Sequence, residues 1–352
     1  MAKDARSSQP GGPPPNLESW SREGFTGESA AVIRPHYTPD YLSVEGPHAP
    51  HRLDIHNVMA PDRTDPEALP QVVAASRSGV KLAVSARAAR MPYVVRNVEA
   101  DEIHFIQDGA LRFETDFGAL DAGAGDFCMI PRAVGHRIAP LQAPTCSLIV
   151  ESPWAMRLDT PAPHGMINLE RDVRRARIEA PGQSGGETTL LIKTRDDVTR
   201  YLKPHDPLAS VRQAGGASPV WAIALSKIAP MTYVPHGGPP GHFALSRGKE
   251  VLLYTLSARP GGRPPIHDNA DYDELIFYVR GPGAWGKVSE PGTLTWVPKG
   301  VSHHGPPEDV PEGYLAWLLE TADTLRLTPA GLAAAEPMET GLYGRHPTAR
   351  RR

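Results

Sequence analysis

The sequence predicts an all-β chain built from two similar barrels, and three observations carry that prediction. Pro and Gly are in excess, 38 and 33 of 352 residues. Long helices do not survive that density, because Pro removes an amide donor and Gly leaves the backbone unrestrained. The apolar residues fall into short runs bounded by Gly, Asp and Pro, as strands joined by turns require. One part of the pattern then occurs twice. Together these give strands closed into barrels or sandwiches, not layers of helix on sheet.

Composition narrows the class further. Apolar residues make up 40% and charged residues 22%, enough for one large domain or two ordinary ones. The net charge of -3 shows no basic excess, so nucleic acid is not an expected partner. No apolar run is long enough to span a bilayer, and MAKDARSSQPGGPPPN at the start lacks the apolar stretch of a secretory signal. The two cysteines, Cys128 and Cys146, lie in the apolar runs FCMI and TCSLIV and are expected as buried thiols, not a disulfide framework. The expectation is a cytoplasmic protein with no membrane contact.

Residues 1–30 are rich in Ser, Pro and Gly and are expected to form a disordered or wrapping arm. The first barrel is placed at 31–165. Its strand signals are QVVAAS, VKLAVSA, PYVVRNV, EIHFIQDG, LRFETDFG, GDFCMIPR and CSLIVES. LERDVRRARIEA, from Leu169 to Ala180, is the best helix candidate and sits in a linker at 166–185. Its Arg cluster is read as an exposed face. A second strand-rich block at 186–327 forms the second barrel. The tail, 328–352, opens with a short helix in which Thr328 is the N-cap and Pro329 the first helical residue. Its basic end, RHPTARRR, reads as a solvated terminus.

The repeat pairs RNVEADEIHFIQDG, from Arg96, with DNADYDELIFYVRG, from Asp268. Each has Asp-Glu, an apolar strand, and a Gly seven residues after the Glu. Each is followed by a second matching piece, GDFCMIPRAVGH from Gly125 and GTLTWVPKGVSH from Gly292. In both, Pro stands six residues after the Gly and His five after the Pro. Two matches in the same order imply a tandem duplication of one barrel.

The second copy carries a candidate metal site. His267 precedes Glu274, which opens the strand LIFYV, and His303 follows the strand TLTWV and a Pro-Lys-Gly turn. A hairpin brings these two strands side by side. Two imidazoles and one carboxylate occupy one face of an octahedral Fe(II) and leave the other positions open, as dioxygen chemistry needs. Asp273 competes with Glu274, but the spacing to Gly281 favours Glu274. In the first copy Glu102 and His136 remain, while Val95 stands at the position of His267. That barrel is therefore expected to be metal-free, with His104 and Glu114 as ordinary strand residues. His303 and His304 are adjacent, and residues next to each other in a strand face opposite ways, so one alone should be a ligand.

These segments resemble the two cupin motifs. His267, Glu274 and Gly281 match the first, with Asn269 in place of its second His; Gly292, Pro298, Gly300 and His303 match the second. The chain looks like a bicupin, two tandem jelly-roll barrels with short helices. Over roughly residues 70–330, PYVVRNVEADEIHFIQDG, HDNADYDELIFYVRG and VPKGVSHHGP resemble bacterial homogentisate 1,2-dioxygenases. The resemblance implies an iron-free first barrel and one Fe(II) on His267, Glu274 and His303. It also implies ring opening of a hydroquinone- or catechol-type aromatic acid by dioxygen. It gives a substrate-side role to His242 in GGPPGH, with His236 as its rival, and a proton-transfer role to a nearby His. The candidate catalytic residues are His242, His304 and Tyr272, and Tyr272, Tyr278 and Arg280 are the candidates for the substrate carboxylate by closeness in sequence. The partners expected are a small aromatic substrate, dioxygen and further copies of the chain in a homo-oligomer. Two rival readings are a gentisate-like oxygenase of a specialised pathway and a non-catalytic, effector-binding bicupin.

Overall fold

The structure is a computed structural model that describes residues 16–23, 26–159, 167–178, 186–209, 211–212, 215–229, 241–256, 258, 265–281, 287–305 and 311–345. Its first half runs β1 (Leu17–Glu23), β2 (Thr26–Ile33), β3 (His51–Asp54), β4 (Gln71–Ala75), β5 (Lys81–Ser85), β6 (Tyr93–Asn97), β7 (Asp101–Thr115), β8 (Gly118–Gly123), β9 (Asp126–Ile130), β10 (His136–Ser152), β11 (Met156–Leu158), α1 (Leu169–Asp172) and β12 (Val173–Arg175). The second half runs β13 (Thr188–Lys193), β14 (Val198–Lys203), β15 (Trp221–Ala224), β16 (His242–Ser246), β17 (Val251–Thr255), β18 (Ile266–Asn269), β19 (Asp273–Arg280), β20 (Thr293–Val297), β21 (Leu315–Thr321), β22 (Arg326–Leu327), α2 (Pro329–Ala334) and β23 (Ala335–Pro337). Apart from β8, the two halves present the same elements in the same order.

Strand pairing shows that the repeat is spatial as well as sequential. In the first barrel β7 lies between β9 and β10, and β10 continues onto β5 and β4. In the second, β19 lies between β20 and β21, and β21 continues onto β17 and β16. The fold is a bicupin.

Each barrel is completed by strands from the opposite half. β13 runs parallel to β6, with Leu191 opposite Val95, while β1 runs parallel to β18, with Ser19 opposite His267. β15 pairs with β9, and β3 with β20. β11 joins β16, and β22 joins β4. The sheets therefore cross the sequence divisions at 165 and 186. The segment expected as a disordered or wrapping arm carries β1 and β2, which form a sheet with β18 of the second barrel.

The predicted helix over Leu169–Ala180 is a correction. Asn168 caps it by accepting from the amides of Glu170 and Arg171, but the helix ends at Asp172. Val173–Arg175 then pairs with β15, and those ladder bonds outweigh the helix propensity of the Arg-rich run. The tail helix behaves as expected: Pro329 is its first residue and the Thr328 side chain accepts from the Gly331 amide. Cys128 and Cys146 are buried free thiols; burial raises the pKa of Cys146 to about 12.

Alternation along the strands separates two environments. In β19, Leu275, Phe277 and Val279 face a core shared by both barrels, while Glu274 and Tyr278 face the barrel interior. In β7, Ile103 and Phe105 face the shared core, and Glu102 and His104 are buried beyond it. At the centre, Phe105 meets its counterpart Phe277 edge-on at 5.4 Å. Trp317 packs on both, with ring centroids 5.4 Å from each. No helix among the described residues is long and apolar enough to cross a membrane.

Candidate metal centre

His267, Glu274 and His303 converge. All three are buried, and their candidate ligand atoms lie within 4.8 Å of one another. His267 and His303 form an isolated antiparallel bridge in which each backbone amide donates to the other's carbonyl, at 2.9 and 3.0 Å. This bridge sets the two imidazoles side by side, with centroids 4.1 Å apart. Glu274 reaches them from β19, its Oε2 lying 3.2 Å from His303 Nε2 and 3.9 Å from His267 Nε2.

The tautomers follow from the partners. His267 Nδ1 faces the carbonyl of Pro265 at 3.0 Å, and His303 Nδ1 faces that of Val301 at 2.8 Å. A carbonyl only accepts, so each Nδ1 donates, and each Nε2 is the ring atom turned toward the Glu274 carboxylate. Facing a carboxylate, each Nε2 either carries a proton or shares a metal cation with it. Ligands in cis positions about 2.1 Å from one ion lie about 3 Å apart; the His303–Glu274 spacing of 3.2 Å is close to this, and the His267–Glu274 spacing of 3.9 Å is wider. The donor set fits a divalent cation. Burial disfavours a charged His303, but the Glu274 carboxylate outweighs this and raises its pKa. Burial likewise opposes ionisation of Glu274, yet His303 and His267 draw its pKa below the usual range.

The residue in place of the motif's second His has a visible task. Asn269 Nδ2 donates to Glu274 Oε2 at 3.1 Å and orients the carboxylate. Asn97 does the same for Glu102 at 2.9 Å. Asp273, the rival carboxylate, points away: it accepts from the amides of Lys299 and Leu325 and from the Trp296 indole.

The other candidates are spread around the barrel. His304 is buried but turned from the cluster, with its Nε2 2.5 Å from the Tyr37 hydroxyl and its Nδ1 2.6 Å from the Gly305 carbonyl. His242 opens β16 outside the cluster; its Nε2 lies 2.5 Å from Asp159 Oδ2, and its ring meets Tyr254 edge-on at 5.8 Å. The Tyr272 hydroxyl donates to the Lys249 carbonyl and that of Tyr278 to the Gly281 carbonyl. Arg280 is exposed. His236 lies outside the described residues.

Two residues of this site were missed in the sequence. Glu320 stands opposite Glu274 in the β19–β21 ladder, and the Tyr254 hydroxyl donates to it at 2.6 Å. Glu151 occupies the same place opposite Glu102, so a Glu in both CSLIVES and LAWLLET was the available signal. Burial, reinforced by the charge of Glu274, pushes the Glu320 pKa up to about 8. In metal-free protein the folded state therefore keeps a proton that the unfolded chain releases near its model value of 4.5. Stability from this group is present below about pH 4.5 and is lost as pH rises toward 8, by up to about 1.4 kcal/mol per pH unit. Glu320→Gln removes that slope, measured as Tm against pH on metal-depleted protein. An unchanged slope contradicts the assignment.

The first barrel contains a second cluster, Glu102, His104 and His136. His136 pairs with Val95 where His303 pairs with His267. The sequence treated His104 as an ordinary strand residue; the structure places its Nε2 3.4 Å from Glu102 Oε2. Glu114 has no part in the cluster and pairs with Arg90 and Arg137.

No family model matches the chain. A protein of Saccharolobus solfataricus named "Putative dioxygenase" is 24% identical over 232 residues, covering 62% of this chain and 59% of that protein. The chain thus spans about three fifths of that relative's length. Among solved structures, oxalate decarboxylase of Bacillus subtilis aligns with a TM-score of 0.41 and 12% identity, over 81% of this chain and 79% of that one. A second structure of oxalate decarboxylase aligns with the same score and identity, over 86% and 88%.

Proposed function

We propose that the second barrel holds one Fe(II) on His267, Glu274 and His303, and that the chain is a dioxygenase opening the ring of a homogentisate-like hydroquinone or catechol acid. The observation that carries this reading is the pair of buried imidazole Nε2 atoms converging on one carboxylate. Three ligands leave open positions, and bound iron would supply the redox chemistry that joins dioxygen to the ring. The name carried by the Saccharolobus relative agrees with the reaction class.

The protein's own contribution is positioning. Asn269 fixes the carboxylate, and the carbonyls of Pro265 and Val301 fix the imidazole tautomers. His304, beside the ligand His303 in sequence, is the proposed base; its Nε2 is taken by the Tyr37 hydroxyl, so a phenolic proton would reach it by way of that hydroxyl. His242, held by Asp159, is the rival base. We also propose a cytoplasmic homo-oligomer.

The two adjacent imidazoles give the test. His303→Ala loses the bound iron, whereas His304→Ala keeps it and lowers turnover by about 10²–10⁴-fold, the usual share of a general base. Iron content and oxygen uptake of both variants separate the roles. Loss of iron from His304→Ala with retention in His303→Ala would move the ligand by one residue.

A further inference from the structure

The first barrel already contains a cation, supplied by the chain. Lys193 ends β13, the strand that the second half lends to the first barrel. Its Nζ lies 2.6 Å from Glu151 Oε1 and 3.3 Å from Glu102 Oε1. The other oxygen of Glu102, Oε2, lies 3.4 Å from both His104 Nε2 and His136 Nε2. His136 Nδ1 faces the Val134 carbonyl at 3.4 Å, which turns its Nε2 toward the carboxylate as in the second barrel. These five groups line one cavity together with Val95.

The repeat supplies the comparison. Lys193 accepts from the Val98 amide through its carbonyl, and Ser21 accepts from the Ala270 amide in the matching place. Lys193 stands opposite Asn97, and Ser21 opposite Asn269. The two barrels thus differ by a reciprocal exchange. One has Lys193 and Val95; the other has Ser21 and His267. The barrel that lacks the ligand His has the ammonium, and each keeps a Glu pair across the ladder, Glu102 with Glu151 and Glu274 with Glu320.

We propose that the Lys193 ammonium, held on the Oε1 side of Glu102, supplies the charge that a metal ion would bring to the first barrel and so masks a divalent-cation site formed by Glu102, His104 and His136, with Glu151 beside it. His104 takes over as the third donor lost with Val95. Two carboxylates at 2.6 and 3.3 Å balance the charge of the ammonium inside the barrel. A fixed internal cation excludes a mobile one by charge and by volume. The inference goes beyond the iron assignment in the second barrel and does not depend on it.

The test is Co(II) binding by full-length variants in a His303→Ala background, which removes a proposed ligand of the second barrel. His303→Ala alone binds no Co(II), and His303→Ala with Lys193→Met binds one per chain. Adding His136→Ala abolishes that binding again. If Lys193→Met gains no Co(II) equivalent, the inference is overturned. It is equally overturned if the first barrel binds Co(II) with Lys193 present. Lys193→Met leaves two buried carboxylates without a cation and can lose its fold, so Lys193→Ala is measured beside it by thermal melting. Co(II) must restore the melting transition of whichever variant unfolds; a failure to do so also overturns the inference. Absence of metal from the native second barrel would sink the iron reading while leaving these outcomes intact.

Discussion

Glu274→Ala is expected to bind no iron and to lose oxygen uptake by about 10³-fold or more, against an expected one iron per native chain. Glu274 is the residue both imidazoles face, and its removal leaves two Nε2 atoms with no carboxylate to balance a divalent charge. Metal chemistry at such a site contributes several kcal/mol to the reaction barrier, which is a thousandfold or more in rate. Stability gives an independent readout. A metal at a thousand times its Kd stabilises the folded state by about 4 kcal/mol, so iron raises the native Tm and leaves that of Glu274→Ala unchanged. Equal iron content in the two proteins would defeat the assignment.

Trp317→Ala destabilises the chain by about 3–5 kcal/mol, the usual cost of deleting a large aromatic from a packed core. Trp317 is 1% exposed and packs against Phe105 and Phe127 of the first barrel and Phe277 of the second. The expected consequence is a lower denaturation midpoint with one transition for both barrels, because the shared core and the exchanged strands link them. Two separated transitions, or a loss confined to one barrel, would contradict the interlocked core.

Much of this architecture was legible because its signals are local. Alternating apolar strands located β4, β5, β6, β7, β9 and the second half of β10, although EIHFIQDG and LRFETDFG proved to be one strand, β7, and β8 gave no such signal. The repeat and the spacing from Gly292 to His303 identified residues that the structure brings within 4.8 Å of one another. The exchange of strands left no such signal. Backbone ladders pair groups that every residue carries, so nothing in LESWSRE marks it as a neighbour of the strand bearing His267. Lys193 was hidden for the same reason: parallel pairing of β13 with β6 delivers it to Glu102, 91 positions away. His104 was read as an ordinary strand residue because its counterpart in the aligned repeat is Ile276, so the repeat gave it no ligand role.

The most direct test of the central claim is oxygen consumption by Fe(II)-loaded protein with homogentisate, gentisate and simple hydroquinone or catechol acids. A ring-cleaving iron centre takes up one dioxygen per aromatic acid consumed, with a ring-opened product, for at least one of them. Iron fully bound at one per chain, with no oxygen uptake from any of these acids, would contradict it.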